Sequence, residues 1–301
     1  MTIPFEGVSL RELGPLAQRA EAAGYEGLWS AESTQYDGFT PLAIAAEHTE
    51  RVRLVSGIVN VFTRGPALLA QTAASLADVS DGRFVLGLGA SSNVIVEQWN
   101  AIPFRRPLAK VDETVTYLRT VLAGERGSGG FKLGAPPAHP VPIVLAALRE
   151  PMLRLAARIA DGAFTNFLPL SRVGQVVGAF GAPDKELACR FFSFHGDDAL
   201  ARAKRTFVAY ATVPVYTEFF RWLGFGEDVD PLVEAWSAGD RRRAVELVPE
   251  QLVREIFLLG PLDAQRERLA EFGAAGVDTG VLALSCPQPE LAALLDGLAP
   301  R

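Results

Sequence analysis

The feature that most constrains the fold is an alternation of two hydrophobic periods, repeated eight times along 301 residues. Short apolar runs with strand character recur at Thr2–Phe5, Gly27–Ala31, Arg53–Val59, Arg83–Leu88, Val141–Ala146, Gly162–Asn166, Leu187–Phe194 and Gly280–Leu284. Between them lie stretches with helical spacing, such as Leu10, Leu13, Leu16, Ala17 and Ala20 closed by Gly24, or Pro66 to Val79. A helix after each strand carries the chain back, so successive strands pair in parallel. Eight such units is the count of a (β/α)8 barrel, an α/β fold; a doubly wound open sheet is the alternative. Two observations favour the barrel. Gly87-Leu-Gly89-Ala-Ser-Ser92 lacks the third glycine of a GxGxxG turn. Polar residues also recur at the ends of many strands instead of collecting at one switch point. The expectation is a single barrel domain over residues 1–301, with extra helices near 214 to 259, before the eighth strand. Gly124 to Pro140, rich in Gly, Pro and Ala, reads as a loop and a candidate lid.

Composition excludes several classes. A hydrophobic content of 49% with 21% charge describes a soluble chain with a large core. No apolar run is long enough to span a membrane. The start, Met1-Thr-Ile-Pro-Phe-Glu6, has no signal-peptide character, so a cytoplasmic location is expected. Cys189 and Cys286 lack metal or redox spacing and read as reduced core thiols. Three isolated histidines, His48, His139 and His195, argue against a His-rich metal centre. A net charge of −6 without a basic, aromatic-interleaved stripe argues against nucleic acid.

In a barrel, residues just past each strand share one mouth. The second strand contributes Glu32, Ser33 and Gln35; the third Gly57, Ile58, Asn60 and Phe62. The fourth adds Gly89, Ala90, Ser91 and Ser92, with Glu97 and Trp99 beyond, and the fifth Ala147, Leu148 and Arg149. Asn166 and Phe167 follow the sixth. Small, amide and aromatic residues dominate this set. It holds no Ser-His-Asp set, metal triad or obvious Schiff-base lysine, and suits a planar cofactor that brings its own reactivity. Gly57 marks a bulge or a close approach of backbone to ligand, with an ordinary turn as the alternative. Ser91, Ser92 and Arg149 open helices and suit phosphate; N-caps and a solvated arginine fit the same residues. Glu32 also reads as a satisfied buried carboxylate, and Arg64 as half of a structural ion pair. Phe62, Trp99, Phe104 and Phe167 suggest an apolar substrate wall.

Longer stretches carry a family likeness. They include Ala23-Gly-Tyr-Glu-Gly-Leu-Trp29, Thr63-Arg-Gly-Pro-Ala-Leu-Leu-Ala-Gln71, Asp81-Gly-Arg-Phe-Val-Leu-Gly-Leu-Gly89 and Val94-Ile-Val-Glu-Gln-Trp-Asn100. Ala146-Ala-Leu-Arg149, Ala160-Asp-Gly162 and Tyr210-Ala-Thr-Val-Pro-Val-Tyr216 extend it. On these residues the chain resembles the luciferase-like monooxygenase superfamily, in its branch of coenzyme F420-dependent oxidoreductases. The resemblance implies a barrel of the bacterial-luciferase type with a deazaflavin ring in its mouth. It implies a non-proline cis peptide and bulge at Gly57-Ile58 behind the ring, and Asn60 near the ring's polar edge. It places the ribityl and phosphate groups by Ala90 to Ser92 and the Arg149 helix start.

Hydride transfer from the deazaflavin to a small organic acceptor of C=C or C=N type is the leading expectation. Glu32, then Glu97, are the candidate proton donors. An FMN-dependent monooxygenase of the same fold and a non-catalytic barrel are the alternatives. Two departures stand out: Ser33 replaces the catalytic histidine of the sugar-phosphate dehydrogenases, and the Gly127 to Pro140 segment is short. The resemblance also implies a homodimer through the helices after strands two and three; light scattering that finds only monomer would exclude it.

Overall fold

The computed structural model describes residues 1–32 and 34–300. Its parallel strands are β1 (Thr2–Ile3), β2 (Gly27–Ser30), β3 (Arg53–Ser56), β4 (Val59–Asn60), β5 (Phe84–Gly89), β6 (Ile143–Ala146), β7 (Gly162–Asn166), β8 (Glu186–Phe194) and β9 (Thr279–Ser285). They run in the order β1-β2-β3-β5-β6-β7-β8-β9, and β4 continues β3 alongside β5. β1 and β9 lie side by side across the remaining seam. The result is an eight-stave parallel barrel, as the alternation of periods predicts.

Alternation within each strand builds two cores. Trp29, Val55, Val85, Val144, Phe164, Ala188 and Val281, one from each of seven strands, fill a layer inside the barrel. Trp29 and Phe164 stack there with centroids 4.7 Å apart. Their neighbours Leu28, Leu54, Phe84 and Leu86 turn outward against the helices. With both faces covered, the strands read as nearly unbroken apolar runs.

One layer nearer the strand N-termini, Arg53 on β3 meets Glu186 on β8. Both guanidinium branches engage the carboxylate, at 2.7 and 3.0 Å, and Thr279 Oγ1 donates to it at 2.5 Å. Strands three and seven of eight stand opposite one another, so this pair closes the bottom of the barrel across its axis. Burial raises the Glu186 carboxyl, but the bonds from Arg53 and Thr279 outweigh it and hold the group below its ordinary range.

The surrounding helices are α1 (Leu13–Ala22), α2 (Thr40–His48), α3 (Pro66–Val79), α4 (Pro107–Leu122), α5 (Glu150–Ile159), α6 (Val173–Phe180), α7 (Ala199–Ala211), α8 (Pro214–Trp222), α9 (Gly226–Ser237), α10 (Arg241–Glu246), α11 (Glu250–Ile256), α12 (Leu262–Ala275) and α13 (Leu291–Gly297). Among the described residues, no helix is long and apolar enough to cross a membrane.

The candidate lid sits at the wrong end. Gly124 to Pro140 joins α4 to β6, and helix-to-strand connections gather at the strand N-termini, away from the mouth. His139 accordingly packs against Gly82 in the turn between α3 and β5. Cover over the mouth comes instead from the insertion α7 to α11. The chain leaves β8 at Phe194 and returns beside it at Leu258, whose N–H donates to the Phe192 carbonyl at 3.0 Å. Both ends of the insertion therefore lie at the C-terminal end of β8, and its helices belong to the mouth.

Candidate active site

The third strand, expected as one run from Arg53 to Val59, is interrupted. Val55 pairs with Val85, and Val59 pairs with Leu88. Four steps on one strand match three on the other, so one extra residue is accommodated between them as a bulge. The Gly57–Ile58 peptide within it is cis, as the family likeness implies. Ser56 Oγ repairs the broken ladder by donating to the Gly87 carbonyl at 3.0 Å and accepting from the Gly87 N–H at 2.8 Å. Gly57 N donates to the Ser30 carbonyl at 2.7 Å.

The bulge turns the Ile58 side chain into the barrel, against the inner apolar layer. Glycine on β5 makes room for it. A Cβ on Gly89 would stand 2.9 Å from Ile58 Cδ1 and 3.0 Å from Ala146 Cβ. A Cβ on Gly87 would stand 1.7 Å from the Ser56 carbonyl oxygen. Ile58 is thus an apolar platform in the mouth, and the residues around it fit a flat ring laid on that platform.

Polar groups surround the platform. Asn60 Oδ1 accepts from Phe62 N, Thr63 N and Thr63 Oγ1 at 3.1, 2.9 and 3.0 Å, which fixes the turn and leaves Nδ2 for a ligand. Asn166 Nδ2 donates to the Tyr216 hydroxyl at 3.2 Å, while its Oδ1 accepts from Phe167 N at 3.0 Å. Burial pushes the Tyr216 phenol up to about 12. It stays protonated at neutral pH, and since Asn166 occupies its oxygen as donor, the phenolic hydrogen is free for another acceptor. A cavity of about 430 Å³ opens beside β1, β8 and β9, walled by Phe192, Phe194 and Tyr210 with Glu6, Gln35 and Ser285.

Sequence reasoning missed Arg190, Phe192, Phe194, Tyr210 and Tyr216. Arg190 had a legible signal, a lone charge within an apolar strand. Tyr210 and Tyr216 had none beyond the family likeness, because they come from inserted helices whose docking over the mouth is a tertiary outcome.

Several expected roles change on this geometry. Glu32 receives Arg64 on both oxygens, at 2.7 and 2.5 Å, and also accepts from Gly38 N at 3.0 Å. A carboxylate so occupied secures the β2–α2 turn and is poorly placed to deliver a proton. The Glu97 side chain is exposed and accepts from Phe104 N at 3.0 Å, which fixes the following loop. Phe167 is 1% exposed, inside a cluster with Tyr210, Tyr216 and Phe192, and does not wall open space. Trp99 is 55% exposed. Phe62 and Phe104 do come together, with centroids 5.0 Å apart.

Both expected phosphate sites are modest. Ser91 takes a left-handed turn (φ 64°), and the helix beyond it is a six-residue π-helix, Val94–Trp99. Ser92 Oγ accepts weakly from Ile95 N at 3.4 Å. Arg149 caps α5, but Glu150 and Pro151 occupy its first turn, adding a negative charge and removing an N–H. Arg149 lies 3.9 Å from Glu218, which Arg221 holds more tightly at 2.6 Å, so the Arg149 guanidinium is free to turn. Gly89, Ala90 and Ala147 stand at the ends of β5 and β6 as expected. Ala147 is buried, and its N–H is engaged by the Phe164 carbonyl at 2.9 Å. Ser33 lies outside the described residues.

The Glu32 reassignment has a measurable consequence. The Glu32 and Arg64 side chains are only 17% and 18% exposed, so Glu32→Gln leaves a charge half-stranded and should cost about 2 kcal/mol of stability. Turnover should then remain within about threefold of the parent once the protein is folded, because the carboxylate is not near enough to freedom to be the main acid. An unchanged melting temperature with a collapse in kcat would return Glu32 to the proton-donor role.

Comparison with known proteins gives the family. The luciferase-like monooxygenase model matches residues 3–279. The chain belongs to that family. A protein of Mycobacterium tuberculosis assigned as a coenzyme F420-dependent oxidoreductase is 29% identical over 93% of each chain. Among solved structures, the coenzyme F420-dependent tetrahydromethanopterin reductase of Methanopyrus kandleri superposes with a TM-score of 0.77 at 23% identity, covering 99% of this chain and 96% of that one. An F420-dependent secondary alcohol dehydrogenase, solved with an F420–acetone adduct, gives 0.78 at 18% identity, with 97% and 94% covered. At these identities the structural matches speak for the fold, which is that of the luciferase-like barrel.

Proposed function

We propose that this member of the luciferase-like family is a coenzyme F420-dependent oxidoreductase. It moves hydride between the deazaflavin and a small organic substrate with a C=C or C=N acceptor. The observation that carries the reading is the Ile58 platform. An apolar side chain, set by a bulge and accommodated by Gly87 and Gly89, lies in a mouth otherwise lined by amides and aromatics. The names of the mycobacterial relative and of the two structural neighbours support the same cofactor.

When bound, the deazaflavin supplies a hydride-carrying carbon at C5 that reacts poorly with oxygen. The chain's residues supply position and protons. Ile58 would back one ring face, and Asn60 Nδ2 and the backbone at Gly89 and Ala90 would meet the polar edge. Ser91, Ser92 and the loosely held Arg149 would steady the phosphate end. Phe62 and Phe104 would limit water at the rim. Tyr216 Oη, protonated and hydrogen-bonded by Asn166, would deliver a hydrogen bond or a proton to the atom on the substrate that gains charge.

The test is a paired titration of purified apo-protein with oxidised F420 and with FMN, following each chromophore's fluorescence. Tight binding of F420 with weak binding of FMN is the expected result. Preference for FMN would transfer the protein to oxygen chemistry, and binding of neither would end the cofactor reading.

A further inference from the structure

The inward-facing column of β8 carries two charges with unlike surroundings. Along that strand Glu186, Ala188, Arg190, Phe192 and Phe194 alternate toward the axis, since Ala188 belongs to the inner layer. Glu186, at the bottom, is matched by Arg53. Arg190, one layer above Ala188, has no carboxylate partner among the described residues. Its contacts are a long bond from Nε to Asn166 Oδ1, at 3.5 Å, and the Phe192 ring, 4.9 Å from its Cζ. The side chain is half-buried, and on an inward face its accessible part looks into the barrel's own space. An inward guanidinium without a counter-charge is costly to keep there.

We infer that Arg190 is the anchor for a carboxylate on the substrate, and that the enzyme takes small organic acids with an apolar body. This deepens the F420 reading and rests on it for the position of the ring. β8 stands opposite β3 in the strand order, as the Arg53–Glu186 contact across the axis demonstrates. A ring backed by Ile58 on the β3 side therefore turns its open face toward Arg190. Substrate must lie in that interval. Phe192 and Phe194 wall the adjoining cavity, and exposed Glu6 lies at its outer rim on the loop after β1. A carboxylate drawn toward Arg190 and away from Glu6 would leave its apolar body against the phenylalanines that wall the adjoining cavity. A guanidinium also recognises a planar carboxylate through two parallel N–H bonds, which an amide cannot accept.

The test compares cinnamate with cinnamamide, isosteric and differing in charge, by calorimetry on the apo-protein and on the F420-loaded protein. The parent should bind cinnamate at least about tenfold more tightly. Arg190→Gln should erase that preference, and Arg190→Lys should keep part of it, with circular dichroism and thermal melts confirming that both fold. Affinity for F420, measured separately by fluorescence, should stay within about threefold in both variants. Absence of a carboxylate preference in the parent, including absence of binding by either probe, overturns the proposal without using any variant. So does a selective loss of F420 affinity in Arg190→Gln, which would assign the guanidinium to the cofactor. A carboxylate preference that survives in a protein unable to bind F420 leaves the anchor standing and removes the cofactor reading instead.

Discussion

Gly87→Ala should give a protein that is insoluble or at least about 3 kcal/mol less stable than the parent, measured by thermal or urea denaturation. The new Cβ would lie 1.7 Å from the Ser56 carbonyl oxygen, a backbone atom held in place by the bulge. A rigid main chain cannot rotate away from the added methyl. Relief requires β3 and β5 to separate, which also breaks both bonds between Ser56 Oγ and Gly87, one donated by the hydroxyl and one by the Gly87 N–H. Gly89→Ala makes the informative contrast. Its Cβ would meet Ile58 Cδ1 at 2.9 Å and Ala146 Cβ at 3.0 Å, and the tip of Ile58 can move. That variant should fold, with stability lowered by about 1–2 kcal/mol, but with the platform displaced and F420 affinity reduced. Equal stability of Gly87→Ala and parent would contradict the bulge geometry itself.

Tyr216→Phe should lower turnover by about a hundredfold while F420 affinity changes by less than about threefold. The substitution keeps the aromatic packing with Tyr210 and Phe167 and removes only the hydroxyl. A loss confined to kcat separates proton delivery from ring binding, and an unchanged kcat would discard Tyr216 as the donor. The same variant has a signature in stability. Burial pushes the folded-state phenol from its ordinary 10 up to about 12. The unfolded chain therefore releases this proton at a lower pH than the folded one, so rising pH favours unfolding across that interval. The tyrosine's contribution is intact below pH 10 and should fall by about 2 kcal/mol by pH 12. Denaturation midpoints recorded between pH 8 and pH 12 should decline less steeply in Tyr216→Phe. Tyr25, also shifted upward by burial, maintains part of the decline in the variant.

Periodicity, with the incomplete GxGxxG turn and the spread of polar residues over many strand ends, was sufficient for the barrel. The boundaries of α3 and the extent of β7 match the sequence expectation residue for residue, because Pro66 opens that helix and Gly162 opens the strand. Gly57 was legible as a place where the strand departs from regular geometry, since a glycine in an apolar run has little reason to be there otherwise. The list of mouth residues was also largely legible, as position past a strand end is a property of sequence once the fold is known.

Roles within the mouth were not legible, because they depend on which side chains meet. Glu32 is 32 residues from Arg64 in sequence, and only the closing of β2 beside β3 brings them within 2.5 Å. Phe167 follows a strand like its neighbours, yet packing under the inserted helices makes it core. The end of the barrel that a loop occupies follows from chain direction, which moved the cover from residues 124–140 to the insertion after β8. Arg190 and Glu186 have the same kind of position on the same strand. The register across the axis gives one of them a counter-charge and leaves the other with only Asn166 and the Phe192 ring. The sequence by itself determined the alternation, the barrel and the glycine-bearing third strand, all local consequences of spacing and backbone freedom. Tertiary structure alone decided which charges are paired, which aromatics are buried and which proton is held at the mouth, since each depends on contacts between residues distant along the chain.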